Sequence, residues 1–244
     1  MAMQDKPVRL AVLIDAENAQ AAIADALFAE IAKLGTASVK RIYGDFTHPG
    51  LGGWRARLAE HSIEPVQQFS NTKGKNASDI ALIIDAMDLL HSRRFEGFCI
   101  VSSDSDFTRL ASRIRAEGVI VYGFGEEKAP KAFVAACDKF TYTEILRPER
   151  PASGRGGSGR TPAAKDRNLL AALQDAVEAS ADEAGWAHLG QVGKTLNNRL
   201  SDFDPRNFGH RNLTSLIEAV GSFEIRRQTS SGGAHSVLVR VAPR

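Results

Sequence analysis

Along the first 124 residues, apolar and polar positions switch repeatedly between two periods. Val8 to Ile14 is near-continuously apolar, the pattern of a strand covered on both faces. Ala19 to Leu34 then carries Ala, Ile, Leu and Phe at helical spacing, and Gly35 can stop it. The alternation continues with a strand over Val39 to Tyr43, a helix around Trp54 to Ala59 and a strand over Ile63 to Phe69. A helix over Ile80 to Leu90, a strand over Phe98 to Ser102, a helix over Phe107 to Ala116 and a strand over Val119 to Phe124 complete it. Strands alternating with helices predict an α/β fold, Rossmann-like, with a mostly parallel sheet and helices on both faces. Ligands of such sheets sit beyond the carboxyl ends of the strands.

Downstream the pattern changes. Leu169 to Ala179, His188 to Leu200 and Arg211 to Val220 read as helices, and two strands, Phe223 to Arg227 and Ser236 to Val241, flank a Ser-Ser-Gly-Gly turn. Three helices and a hairpin predict a small winged helix-turn-helix domain. Between the two patterns, twelve of the seventeen residues from Pro148 to Ala164 are Pro, Gly, Ser or Arg, which predicts a flexible basic linker. The expected organisation is an α/β domain over 1–147, a linker over 148–164 and a winged-helix domain over 165–244.

Composition narrows the function. With 43% hydrophobic residues and a net charge of +2 over 244 residues, the chain can bury two cores, and disorder throughout is disfavoured. No run approaches the roughly 18 apolar residues of a membrane span, and Met1 to Arg9 holds no secretion-signal core, so a cytoplasmic protein is expected. The two cysteines, Cys99 and Cys137, have no His or Cys at ligand spacing, so any metal must be held by oxygen. Residues 1–148 hold 18 basic and 19 acidic side chains, whereas 149–244 hold 13 and 10, so the positive charge lies downstream.

The acids have a pattern of their own. The first predicted strand ends in Asp15, with Asn18 three residues on; the second ends near Asp45; the fourth runs into Ser102-Ser103-Asp104-Ser105-Asp106. Asp79 opens the helix after the third strand and is expected on the same edge. Two carboxylates 4 Å apart repel by about 4 kcal/mol at an effective dielectric of 20. Protonation, a lysine such as Lys73 or Lys75, or a hard divalent cation, Mg²⁺ or Mn²⁺, offsets that cost. Each acid alone reads as a helix cap, but a cap needs only a short polar side chain, and four aspartates recur where Ser, Thr or Asn would serve. Asp85 is expected to be solvated, paired or supporting the site. Glycine-rich dinucleotide and P-loop motifs are absent, and the third strand ends in Gln67, Gln68 and Phe69, where a receiver domain would carry its phosphoacceptor aspartate. A haloacid-dehalogenase-type phosphatase is disfavoured because its DxDx[TV] motif does not follow the first strand. His48, His61 and His91 lie in unrelated surroundings.

The segments Leu13-Ile14-Asp15-Ala16-Glu17-Asn18, Lys75-Asn76-Ala77-Ser78-Asp79-Ile80-Ala81-Leu82 and Val101-Ser102-Ser103-Asp104-Ser105-Asp106-Phe107 resemble the NYN domain family, relatives of PIN-domain nucleases, over about residues 8–146. The resemblance implies a PIN-like sheet whose acids bind Mg²⁺ or Mn²⁺ and cleave RNA. Asp15, Asp79, Asp104 and Asp106 then correspond to the metal-binding acids, and Asn18 to the polar partner that orients water or substrate. Asp15 and Asp104 are expected as direct ligands, and Ser102, Ser103 and Lys75 as contacts to substrate. Gly185 to Gly193 and Phe203 to Gly209 are similar to the LOTUS or OST-HTH family over about 165–242, which implies binding of RNA or of a protein partner. Lys194, Arg199, Arg206, Arg211, Arg226 and Arg227 are its expected backbone contacts. The whole chain therefore reads as a ribonuclease that cleaves single-stranded RNA with metal-activated water, and homodimers are expected from the resemblance. The alternative is a non-catalytic RNA-binding or adaptor protein with a structural ion site.

Overall fold

The computed structural model describes residues 8–69, 76–147, 166–229 and 235–242. The chain forms two compact units, residues 1–149 and 150–244. In the first, strands β1 (Arg9–Asp15), β2 (Thr36–Gly44), β3 (Glu64–Gln67), β4 (Gly97–Val101), β5 (Ile120–Gly125) and β6 (Lys139–Tyr142) make one sheet. Its order is β3-β2-β1-β4-β5-β6, and every pairing is parallel. Helices α1 (Ala24–Ile31), α2 (Gly52–His61), α3 (Ala77–His91), α4 (Thr108–Ala116) and α5 (Lys131–Ala136) cover it.

Alternation along β1 and β4 feeds two cores. Ala11, Leu13, Phe98 and Ile100 face α3, α4 and α5, where Leu82, Ala86, Leu110, Ile114 and Phe133 are buried. Leu10, Val12, Ile14, Cys99 and Val101 face the other way, against Leu27 and Ile31 of α1 and Trp54 of α2. Burial on both faces explains the unbroken apolar run of β1. The helix expected over Ala19 to Leu34 is shorter, because Gln20 leads into a 3₁₀ turn, Ala21–Ile23, before α1. The α5 and β6 elements, six and four residues long, extend the sheet beyond the five expected strands.

The strand order reverses between β1 and β4, so the chain leaves these neighbours in opposite directions and a crevice opens beyond their carboxyl ends. Trp54 ties the loop after β1 to α2 by donating its indole N–H to the Ala19 carbonyl at 3.1 Å. The helix α3 is fastened to β2 by Asp85, which accepts from Arg41 at 3.0 Å and from the Tyr43 hydroxyl at 2.8 Å. Asp85 is therefore paired.

The second unit carries α6 (Arg167–Glu178), α7 (Leu189–Arg199) and α8 (Leu213–Val220) around an antiparallel sheet of β7 (Ala187–His188), β9 (His235–Val241) and β8 (Phe223–Thr229), in the order β7-β9-β8. Its core holds Leu173, Val177, Leu196, Leu216, Ile217 and Val239. The expected linker and the Ser-Ser-Gly-Gly turn lie outside the described residues. No helix among the described residues is long and apolar enough to cross a membrane.

Gly125 ends β5 where a side chain has no room: a Cβ there would lie 2.5 Å from the Ser102 carbonyl oxygen and 2.9 Å from the Phe140 ring. The Gly125→Ala substitution is expected to cost about 1–3 kcal/mol by overpacking, read as a lower urea midpoint for the first unit.

Candidate metal centre

Asp15 closes β1 and is buried. A buried carboxylate needs donors, and it has four. One oxygen accepts from the backbone N–H groups of Glu17 and Asn18, at 3.1 and 3.3 Å. The other accepts from the Asn18 side-chain amide and the Ser102 hydroxyl, each at 2.8 Å. Ser102 was expected to position a phosphate oxygen; its one proton goes instead to Asp15, while its oxygen accepts from the Asp104 N–H at 3.1 Å. Buried Ser103 accepts from the Glu126 N–H at 2.8 Å. Both serines hold the turn after β4 and take no place among surface contacts.

That turn presents Asp104 and Asp106. Asp104 caps the 3₁₀ turn Ser105–Phe107 by accepting from the Asp106 N–H at 3.0 Å, so the capping role weighed for it is real. Across from it, Asp79 sits in the first turn of α3 and makes no cap of its own. Carboxylate oxygens of Asp79, Asp104 and Asp106 lie within 4.8 Å of one another. Asp106 accepts from the Asn76 amide at 2.9 Å. Among the described residues no Lys or Arg pairs with Asp15, Asp79, Asp104 or Asp106. Lys75 lies outside the described residues.

Asp79 registers the crowding. Its partial burial, then the charges of Asp15, Asp104, Glu17 and Asp106, push its carboxyl up to about 6. Asp15 is thus electrically coupled to the trio, but its oxygens point at four donors and it is not one of the three that converge. A set of hard carboxylate oxygens with no described cation beside them fits Mg²⁺ or Mn²⁺.

Three side chains were missed as site residues. Asn76 and Glu17 lie inside the recognised motifs, yet nothing in their spacing revealed that one holds Asp106 and the other adds charge. His48, assigned to unrelated surroundings, lines a cleft of about 440 Å³ with Glu17, Asp45, Gly50 and Leu51.

In the second unit, Lys194 and Arg211 are exposed. Arg206, partly exposed, forms a fork with buried Asp204, its closest N···O separation being 2.6 Å. Arg199 faces Asp175 at 3.7 Å and Arg227 faces Glu218 at 2.6 Å. Arg226 lies over the Trp186 ring at 4.2 Å from its centre. Both line a cleft of about 830 Å³ with His188, Gln191 and Gln228.

The sequence model of the NYN domain matches residues 9–146, and that of the OST-HTH/LOTUS domain matches 160–234. No curated protein matches the chain. Among solved structures, a protein of unknown function from Vibrio parahaemolyticus is similar at 18% identity, covering 57% of this chain and 94% of its own, with a TM-score of 0.46. An uncharacterized protein of Nitrosomonas europaea is similar at 27% identity, covering 40% of this chain and 94% of its own, with a TM-score of 0.30.

Because the Asp79 carboxyl titrates higher folded than unfolded, its ionisation opposes folding of the metal-free protein. The penalty is absent below about pH 4 and grows as the pH rises through about 6. A first-turn carboxylate gains about 0.3–1 kcal/mol from the helix dipole, which offsets only part of the crowding. In chelator at pH 7.5, Asp79→Asn is therefore expected to stabilise the first unit by about 1 kcal/mol after discounting for solvent screening. That is about 2–4 °C in a thermal melt, with no gain near pH 4.

Proposed function

The chain belongs to the NYN domain family, and from that premise we propose that it is a divalent-cation-dependent ribonuclease, cutting single-stranded RNA internally and aided by its OST-HTH/LOTUS domain. The observation that supports this most is the convergence of Asp79, Asp104 and Asp106 at the strand-order reversal, without a described cationic partner. Asp79, Asp104 and Asp106 hold Mg²⁺ or Mn²⁺, and Asp15 adds its charge from the end of β1. When bound, the cation neutralises charge building on the phosphate and makes water a competent nucleophile near neutral pH.

The chain's own side chains do the positioning. Asn18 and Ser102 fix Asp15, the Asp106 N–H fixes Asp104, and Asn76 fixes Asp106. A phosphodiester resting against this edge is attacked by water in line with the departing O3′. The bond to O3′ breaks, leaving a 5′-phosphate and a 3′-hydroxyl, and the ribose 2′-hydroxyl takes no part. The buried thiols of Cys99 and Cys137 are unpaired, in keeping with work in the reducing cytoplasm.

An edge rich in carboxylates repels a polyanion at long range, so attraction must come from elsewhere. Lys194, Arg211 and Arg226 supply it, together with Arg150, Arg155 and Arg160 of the intervening sequence, through phosphate contacts that do not depend on base sequence.

Purified protein incubated with labelled single-stranded RNA and Mn²⁺ is expected to cut it, and Asp104→Asn to lower kcat by at least about a hundredfold, the scale of one lost electrostatic contact to the transition state. Cleavage that survives the substitution would contradict the assignment of the site. Wild-type protein that binds RNA without cutting it would favour the adaptor reading. Removal of residues 149–244 is expected to raise the Kd for RNA and lessen its dependence on added salt while leaving kcat at saturation near the wild-type value. Equal losses in both would count against a recruiting role.

A further inference from the structure

The turn after β2 holds a side chain that this mechanism does not use. His48 precedes the 3₁₀ turn Pro49–Leu51 and caps it, its Nδ1 accepting from the Gly50 N–H at 3.1 Å. That bond decides the tautomer: Nδ1 supplies the lone pair, so the proton of the neutral ring sits on Nε2 as a donor. The ring is exposed and borders the 440 Å³ cleft, a volume in the range of small-ligand sites. Leu51 gives this cleft an apolar wall, and Glu17 gives it an exposed carboxylate.

The cleft and the acidic trio lie at the same sheet edge. Strands β1 and β2 are parallel neighbours, and the Ala16 N–H donates to the Tyr43 carbonyl at 3.0 Å, so the turns after both strands share one sheet edge. Glu17 belongs to both places: it lines the cleft, and its charge acts on Asp79. A strand of RNA with one phosphate at Asp79, Asp104 and Asp106 therefore has a neighbouring nucleotide over the cleft.

We propose that the cleft lined by Glu17, His48 and Leu51 binds the sugar and base of the ribonucleotide next to the scissile phosphate, a reading that rests on the ribonuclease assignment. The chemistry selects that part of the chain. Carboxylates repel a phosphate but accept hydrogen bonds from ribose hydroxyls and from the amino groups of bases. The imidazole offers a flat face for stacking and an Nε2–H for a base or sugar oxygen, and Leu51 covers an apolar edge.

The test separates this role from simple capping. His48→Asn keeps a side-chain oxygen able to accept from the Gly50 N–H, since Asn is a strong capping residue, but lacks the ring and its Nε2–H. With the full-length protein and a single-stranded RNA tetranucleotide, His48→Asn is expected to raise KM about tenfold, the scale of one lost hydrogen bond, with kcat and thermal midpoint near wild type. An unchanged KM would overturn the proposal and leave His48 as a cap only. In the Asp104→Asn background, a tetranucleotide containing 4-thiouridine is expected to crosslink to the peptide bearing His48. Crosslinks confined to other peptides would also overturn it. If the wild-type protein leaves the tetranucleotide uncut, the ribonuclease assignment fails, and the crosslink alone decides whether the cleft binds RNA.

Discussion

The mutual repulsion of carboxylates at the ends of β1 and β4 is the constraint around which the first unit is arranged. At a separation of about 4 Å and an effective dielectric of 20, each like-charged pair costs about 4 kcal/mol. Partial burial first, and then that repulsion, raise the Asp79 carboxyl to about 6. The arrangement persists because the acids are held by rigid elements. Asp15 and the start of the Ser102-to-Asp106 turn grow from central strands buried on both faces, and Asp79 is carried by a helix fastened to β2 through Asp85, Arg41 and Tyr43. Relief then has to come from protons or from a cation.

The buried acid and the converging acids are different groups. Asp15 is the most buried acid of the set and has the most donors, so its oxygens are engaged. Asp79, Asp104 and Asp106 have fewer bonds and converge. Asp104 shows that capping does not take a carboxylate out of the cluster: one oxygen accepts from the Asp106 N–H, and the carboxylate still lies within 4.8 Å of Asp79 and Asp106. The bond that caps the 3₁₀ turn after β4 therefore also orients the Asp104 carboxylate.

Much of this was legible in the residues because it follows from periodicity. A near-continuous apolar run as short and β-branched as Val8 to Ile14 fits a strand covered on two faces, and a parallel sheet puts the residue after each strand on one edge. Elements too short to show a period escaped, as α5 and β6 did at six and four residues. Side-chain direction escaped as well. Nothing in Ser102-Ser103-Asp104 reveals that the first hydroxyl turns inward to Asp15, or that His48 spends Nδ1 on Gly50 and keeps Nε2–H. The pairing of Arg206 with Asp204 had a local signal, Asp-Pro-Arg opening a 3₁₀ turn, but whether a cation faces solvent or a buried acid depends on the fold around it.

Diffraction from crystals grown with Mn²⁺, collected where manganese scatters anomalously, tests the central claim most directly. The account predicts one strong anomalous peak about 2.2 Å from oxygens of Asp79, Asp104 and Asp106, close to the distance for a hard divalent ion. An empty position there, with a lysine or arginine against each of the three carboxylates, would contradict it.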